Sequence, residues 1–455
     1  MKKRLNRRDF LKHSAAGLAG VTPLMSMLGG VTSIEAADVD GAYKAIVVVL
    51  LEGGADVFNM VAPSQSDAYD AYKAVRQNLA LEKDTLLPIT NEYGMRENMG
   101  RMQQLFNDKK LAVVANVGTL VQPTTLAQIN DGSAILPLQL FAHNTQRDLW
   151  MLGSAKEALK NGWAARTGDL FYPTPNPYFN VTVAGNNLMQ LGGIAEAIAF
   201  DDAYISPNTM RYYGFGPESG GGDLGNVYQD IYEARQSDGH QLMAAMAKKR
   251  VEELHQQEIL GGRLFEGVAS FDNFSTGVHE VGKPLGKQLE IVAQILSVKD
   301  NFPGERKRQI FFVNHHGWDT HDSDNEHQVG YLSDSLGAFY DALEKMGISD
   351  QVTTLTISDF GRSLSPNGAG TDHGWGSHAF VMGGAVQGGE IYGTMPRLEP
   401  DSPDAWIDRM IPTTAMESYL ATVVKWFGAT EDELNTIFPN REAFSVKDMG
   451  FMRIL

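Results

Sequence analysis

Three stretches of the chain are apolar with almost no polar interruption: Lys44 to Leu51 (KAIVVVLL), Leu111 to Gly118 (LAVVANVG) and Gln309 to Val313 (QIFFV). A strand with one wet face alternates apolar and polar side chains, whereas a continuous β-branched run marks a strand buried on both faces, the habit of parallel sheets packed between helices. Val352 to Ile357 (VTTLTI) and Tyr178 to Ala184 (YFNVTVA) add two further predicted strands. Between them the period changes. Val329, Leu332, Leu336, Phe339, Leu343 and Met346 recur at three- and four-residue steps, the signature of one helical face laid on a sheet. Leu285 to Val298 is amphipathic in the same way, Asn98 to Asn107 is helical, and Asn161-Gly162-Trp163 opens another helix. Strand, helix and strand in succession predict a parallel β-α-β crossover, which brings the segments following the strands to one edge of an α/β sheet.

Those segments hold the polar chemistry. The first strand ends in Glu52-Gly53-Gly54-Ala55-Asp56, where two glycines permit a sharp turn and a close approach to a ligand. Later segments read FVNHHGWDTH, TLTISDFGRS and GTDHGWGSH, and five of the chain's eleven histidines (His315, His316, His321, His373, His378) fall within them, with Asp319, Asp359 and Asp372 interleaved. Imidazoles and carboxylates in this arrangement suit a divalent metal such as zinc, manganese or calcium. Arg362 has the planar fork that clamps a phosphate or sulfate, although an ion pair with Asp359 explains it equally well. Further back, His143-Asn144-Thr145 precedes a predicted helix. Thr145 is a candidate nucleophile and Asn144 a candidate holder of an anionic oxygen, or simply the helix N-cap.

The two ends of the chain differ in character. Met1 to Lys12 is basic with paired Arg7 and Arg8, Ser14 to Ile34 carries no charge, and Glu35-Ala36-Ala37 closes the segment, the pattern of a twin-arginine export signal over residues 1–37. Its apolar part is too short and too weakly hydrophobic for an anchor, so the mature form is expected to have no stable membrane span and to be periplasmic or secreted, with the twin-arginine translocase as its partner during export. Removing the leader takes the net charge from −17 to about −21, which argues against nucleic-acid and anionic-lipid partners. No cysteine is present, so stability in an oxidising compartment rests on packing. Residues 38–455 are expected to form one domain, with a glycine-rich loop from Gly214 to Gly225, a polar helix from Val227 to Leu260 and a helical insertion near 214–280.

Taken together, the leader, LLEGGAD, LFAHNTQ, GWDTH, SDFGR, GTDHGWG, VQGGEIYG, RMIPTTA and WFG resemble a secreted bacterial family, domain of unknown function 1501, over nearly the whole mature chain. That family is similar, more distantly, to the alkaline phosphatase and sulfatase superfamily. The resemblance implies an alkaline-phosphatase-like three-layer sandwich, with metal ions held by Asp and His at the strand ends. It puts Asp56, or Glu52, at the superfamily's first-strand aspartate, Asp319 and His321 at an Asp/His metal pair, Asp359 at the aspartate of a second pair, and His373 or His378 at a late histidine ligand. Phe360 departs from the histidine expected beside Asp359, and Ala142 and Thr145 stand where family members often have Ser and Asp. The function implied is metal-assisted hydrolysis of an anionic small-molecule or polymer ester, phosphate or sulfate. The alternative is a degenerate member acting as a binding protein at the cell surface.

Overall fold

The computed structural model describes residues 41–200, 284–302 and 307–453 apart from four single positions, together with parts of 233–251 and 269–274. The expected export signal, the glycine-rich loop and most of the expected helical insertion lie outside the described residues.

Among the described residues, nine strands form the central sheet: β1 (Lys44–Leu51), β2 (Leu111–Gly118), β3 (Asn180–Thr182), β4 (Ile198–Ala199), β5 (Arg308–His315), β6 (Val352–Ser358), β7 (Ser377–Gly383), β8 (Ile391–Tyr392) and β9 (Thr414–Ala415). Their order is β8-β2-β7-β6-β1-β5-β3-β4, with β9 also paired to β2. The uninterrupted apolar run of β1 is explained by its position between β5 and β6, parallel to both, with Ala45 to Leu51 no more than 1% exposed. Each buried Val or Leu there contributes roughly 1.5–3 kcal/mol of transfer free energy. β7 runs antiparallel to its neighbours β2 and β6, while every other pairing in the sheet is parallel. The fold is therefore mixed α/β with a large, mostly parallel sheet.

Helices cover both faces. The principal ones are α1 (Ser66–Arg76), α2 (Gly100–Asn107), α3 (His143–Leu152), α4 (Trp163–Phe171), α5 (Leu285–Ser297), α6 (Glu326–Met346) and α7 (Met416–Phe427). On one face Val47 and Val49 share a core with Leu289 and Val292 of α5 and with Leu332, Leu336, Phe339 and Leu343 of α6. On the other, α7 packs on β1 and β2. It is backed there by Trp150 of α3 against Tyr419 and by Phe171 of α4 stacked on Phe427. The predicted strand from Tyr178 to Ala184 is shorter than its apolar run, Asn180–Thr182, because it pairs over only those residues with β5. The crossover from β5 through α6 to β6 spans β1, so the loops after all three strands lie side by side. No helix among the described residues is long and apolar enough to cross a membrane.

Candidate metal centre

Three loops meet at the carboxyl edge of the sheet, locked by main-chain hydrogen bonds. Glu52 N–H donates to His315 O at 2.9 Å and Trp318 N–H to Glu52 O at 3.1 Å. Ser358 Oγ–H donates to Leu51 O and accepts from Ala55 N–H, tying the ends of β1 and β6. Gly53 is required here. At φ +120° its backbone packs so closely that an added Cβ would lie 2.3 Å from Asp319 N.

On this frame four side chains from distant parts of the chain converge. His373 Nε2 lies 3.0 Å from His143 Nε2 and 3.0 Å from His321 Nε2. Asp319 closes the group, with Oδ1 3.1 Å from His321 Nε2 and 3.5 Å from His373 Nε2, and Oδ2 3.5 Å from His143 Nε2. The far sides of two rings are already committed: His143 Nδ1–H donates to Asp359 Oδ2 at 2.8 Å, and His373 Nδ1–H donates to Phe141 O at 2.8 Å. Those bonds fix the tautomers of His143 and His373, so in the neutral rings their Nε2 lone pairs face each other, which is repulsive unless a proton or a metal ion lies between them.

The donor set fits a divalent ion. Donors about 2.0–2.1 Å from a tetrahedral zinc are separated by roughly 3.3 Å, and the contacts of 3.0–3.5 Å within the trio His143, Asp319 and His373 bracket that value, with His321 beside the trio at 3.0 Å from His373. Electrostatics agree. Burial lowers the pKa of His373, keeping it neutral and able to ligate. Burial alone would raise the carboxyl of Asp319, but the hydrogen bond and charge of Arg362, with His143 and His321, outweigh it and hold the group ionised. The side chain of Asp319 is 48% exposed and that of His321 44%, so the cluster opens to solvent. Its floor is Phe360, whose buried ring packs against His143 and His373 at centroid distances of 4.7 and 4.8 Å. Gly54, at φ +84°, leaves room for that ring, because a Cβ there would come within 2.7 Å of it.

Of the residues singled out in the sequence, Asp319, His321 and His373 face one another directly. Asp359 does not join them as a ligand, because it is buried and its carboxylate supports His143 from behind. Asp56 pairs with buried Arg76, while Glu52 binds Arg147, Asn314 Nδ2 at 2.5 Å and His316 Nδ1 at 2.7 Å. The bond to His316 is the main reason the Glu52 carboxyl is held down at about 2. His378 is a core residue of β7. Its Nδ1 accepts from Asn116 N–H, and burial pushes its pKa to about 4. Asn144 is exposed, the N-cap position is taken by Ala142, and Thr145 Oγ1–H donates to Gln139 Oε1. Neither residue makes a polar contact to the cluster.

Arg362 is also recast. Completely buried, it donates to Gly53 O, Gly54 O, Trp318 O and Thr371 O and to Asp319 Oδ1 at 2.6 Å, rather than pairing with Asp359 or facing solvent. The residue that pattern reasoning missed is His143. The HNTQ turn drew attention to its neighbours, and nothing local shows that Asp359 and His373, more than 200 residues away, will meet its ring.

Residues 304–408 match the family described as protein of unknown function (DUF1501). The resemblance drawn from the motifs holds over this DUF1501 segment, which supplies Asp319, His321 and His373, while His143 comes from outside it. No curated protein sequence matches the chain. Among solved structures, the chain is similar to the C-terminal periplasmic domain of EcEptC from Escherichia coli in complex with zinc, at 8% identity and TM-score 0.35 over 87% of this chain and 85% of that one. It is similar to the soluble domain of lipooligosaccharide phosphoethanolamine transferase A from Neisseria meningitidis, at 8% identity and TM-score 0.35 over 91% and 94%. A third is a protein in the alkaline phosphatase superfamily from Vibrio parahaemolyticus, at 10% identity and TM-score 0.36 over 86% and 67%.

Proposed function

We propose that the chain is an exported, metal-dependent hydrolase acting on an anionic ester, phosphate or sulfate. The observation that carries this reading is the convergence of His143, His321, His373 and Asp319 at a solvent-open point with the outward ring nitrogens of His143 and His373 fixed from behind. His143, Asp319 and His373, with His321 beside them, would hold a divalent ion, which when bound would supply Lewis acidity toward an ester oxygen. Asp359 and the Phe141 carbonyl orient the imidazoles, Arg362 positions Asp319, and Phe360 keeps water from the rear of the site. Arg409 is the cation placed to receive an anionic group. Its Nε and Nη1 donate to His373 O and Ile407 O, and its Nη2 carries no hydrogen bond among the described residues. With no Ser or Thr hydroxyl in polar contact with the cluster among the described residues, the attacking group in this reading is water.

The engaged hydroxyl of Thr145 and the aromatic floor at Phe360 support a second reading, a metal-holding binding protein that has lost transfer chemistry. Elemental analysis of the protein recovered from the periplasm, beside an Asp319→Ala/His321→Ala control, tests both. About one equivalent of divalent metal, absent from the control, together with turnover of phosphate or sulfate esters supports the hydrolase. Metal without turnover favours the binding protein, and a metal-free folded sample refutes the site.

A further inference from the structure

The two segments that border the cluster are built unusually for solvent-facing loops. One is the stretch leading into α3, where Leu138 is 65% exposed. The other is the hairpin formed by Ala405–Trp406 and Arg409–Met410, whose tip residue Ile407 is also 65% exposed. Both adopt costly backbone. Gln139, Phe141, Ile407 and Asp408 have φ of +43°, +76°, +48° and +64°, half of the positive-φ non-glycine residues among those described. A two-residue hairpin turn with both φ positive favours Asn-Gly, and a β-branched residue is among the worst choices for it. Ile407 therefore bears local strain while presenting an apolar side chain to water, on a turn tied to Leu364 and Ser365 through Asp408, whose main-chain O accepts from Leu364 N–H and whose carboxylate accepts from Ser365 N–H.

Both segments are attached to the ligand cluster. Phe141 O accepts from His373 Nδ1–H, Arg409 Nε–H donates to His373 O, and the Arg409 guanidinium lies 5.0 Å above the Phe141 ring. The Phe141 ring also packs on Trp406, at 6.1 Å between centroids, and both residues rest on a small core containing Trp375 and Ile411. The apolar rim and the polar site thus share residues, with Arg409 at the junction.

From this continuity we infer that the substrate is amphiphilic: its anionic ester group meets the His/Asp cluster and Arg409, and an apolar tail lies along Leu138, Phe141, Trp406 and Ile407. Strained residues that display apolar groups next to a site are consistent with recognition rather than folding stability. The inference rests on the hydrolase reading for the anionic end alone.

Calorimetric titration of the zinc-loaded full chain with methyl, butyl and octyl phosphate, and with the matching alkyl sulfates, tests it. A fully seated methylene strengthens binding by up to about fourfold, so a half-open rim is expected to give at least tenfold between methyl and octyl esters. Leu138→Ser/Ile407→Asn should flatten that dependence to about threefold or less and leave methyl phosphate binding unchanged. Ile407→Asn alone should melt no lower than the parent, since asparagine suits the turn, which separates recognition from folding. Length-independent binding of the esters by zinc-loaded protein overturns the amphiphile and leaves the metal site standing. Length-dependent binding that ignores zinc removal, with no affinity for methyl phosphate, keeps the rim and refutes the metal-centred reading. Binding of no ester overturns both.

Discussion

Arg362→Met distinguishes a buried brace from an anion clamp. Methionine occupies similar space without donors, so four peptide carbonyls and the Asp319 carboxylate lose their partner together. Individual bonds from a charged donor are worth roughly 1.5–3 kcal/mol, but five made by one guanidinium do not add, and removing one member of a buried charged group typically costs about 3–5 kcal/mol. Taking about 4 kcal/mol, and an unfolding entropy of about 2.1 cal/mol/K per residue over roughly 415 residues, the melting temperature should fall by about 4–5 °C. The melt is followed by circular dichroism in chelator, so that altered metal binding does not enter the comparison. Metal stoichiometry, measured separately, should fall as well, because Asp319 loses the group that holds it ionised and in place. A variant that melts within about 1 °C of the parent yet binds phosphate at least tenfold more weakly would show that the guanidinium meets the anion after all, and the account of Arg362 as a brace would be wrong.

Asp359→Asn should lower zinc affinity by about 10–100-fold in a competitive chelator titration with the fold intact, since the amide oxygen accepts from His143 more weakly; unchanged affinity would remove Asp359 from the site. Gly53→Ala places a Cβ 2.3 Å from Asp319 N and 2.8 Å from Trp318 C at φ +120°, so the loop must shift. Loss of bound metal together with about 1–3 kcal/mol of stability is expected, and a variant with full metal content would contradict the packing described. Glu417, fully buried, has its carboxyl pushed up by burial to about 7, against 4.5 when unfolded. The unfolded chain releases this proton above 4.5 while the folded chain keeps it until about 7, so stability is full below 4.5 and declines across that window, by roughly 3 kcal/mol at most. Glu417→Gln should flatten that decline in urea midpoints measured against pH, and an unaltered slope would assign the pH dependence to other groups.

The sheet was legible because a strand buried on both faces leaves a run such as IVVVLL in any sequence, and α6 because its apolar stripe obeys the helical period. The direction of β7 was not. SHAFVMG mixes a histidine and a glycine with apolar residues, and antiparallel pairing depends on where the preceding loop returns the chain. The clustering of Asp319, His321 and His373 was foreseeable from loops at one sheet edge. The division of labour among the carboxylates and arginines was not: Asp359 and Asp319 look alike in sequence, and only tertiary placement sets one behind His143 and the other among the rings. Arg362 looked like a clamp because its charge is visible in sequence and its burial is not.

The position of β1 in the middle of the sheet also governs how the chain can be made. β5 and β6, its two partners, lie roughly 260 and 310 residues further along, and a ribosome adding about 5–20 residues per second delivers the first of them only after roughly 13–50 s. Throughout that interval a sticky, pairing-ready segment of seven apolar residues has no native neighbour, the condition in which holdase chaperones capture nascent chains and in which aggregation competes with folding. The loops that carry Asp319, His321 and His373 likewise have no common edge to meet on until the final third of the polypeptide has been synthesised.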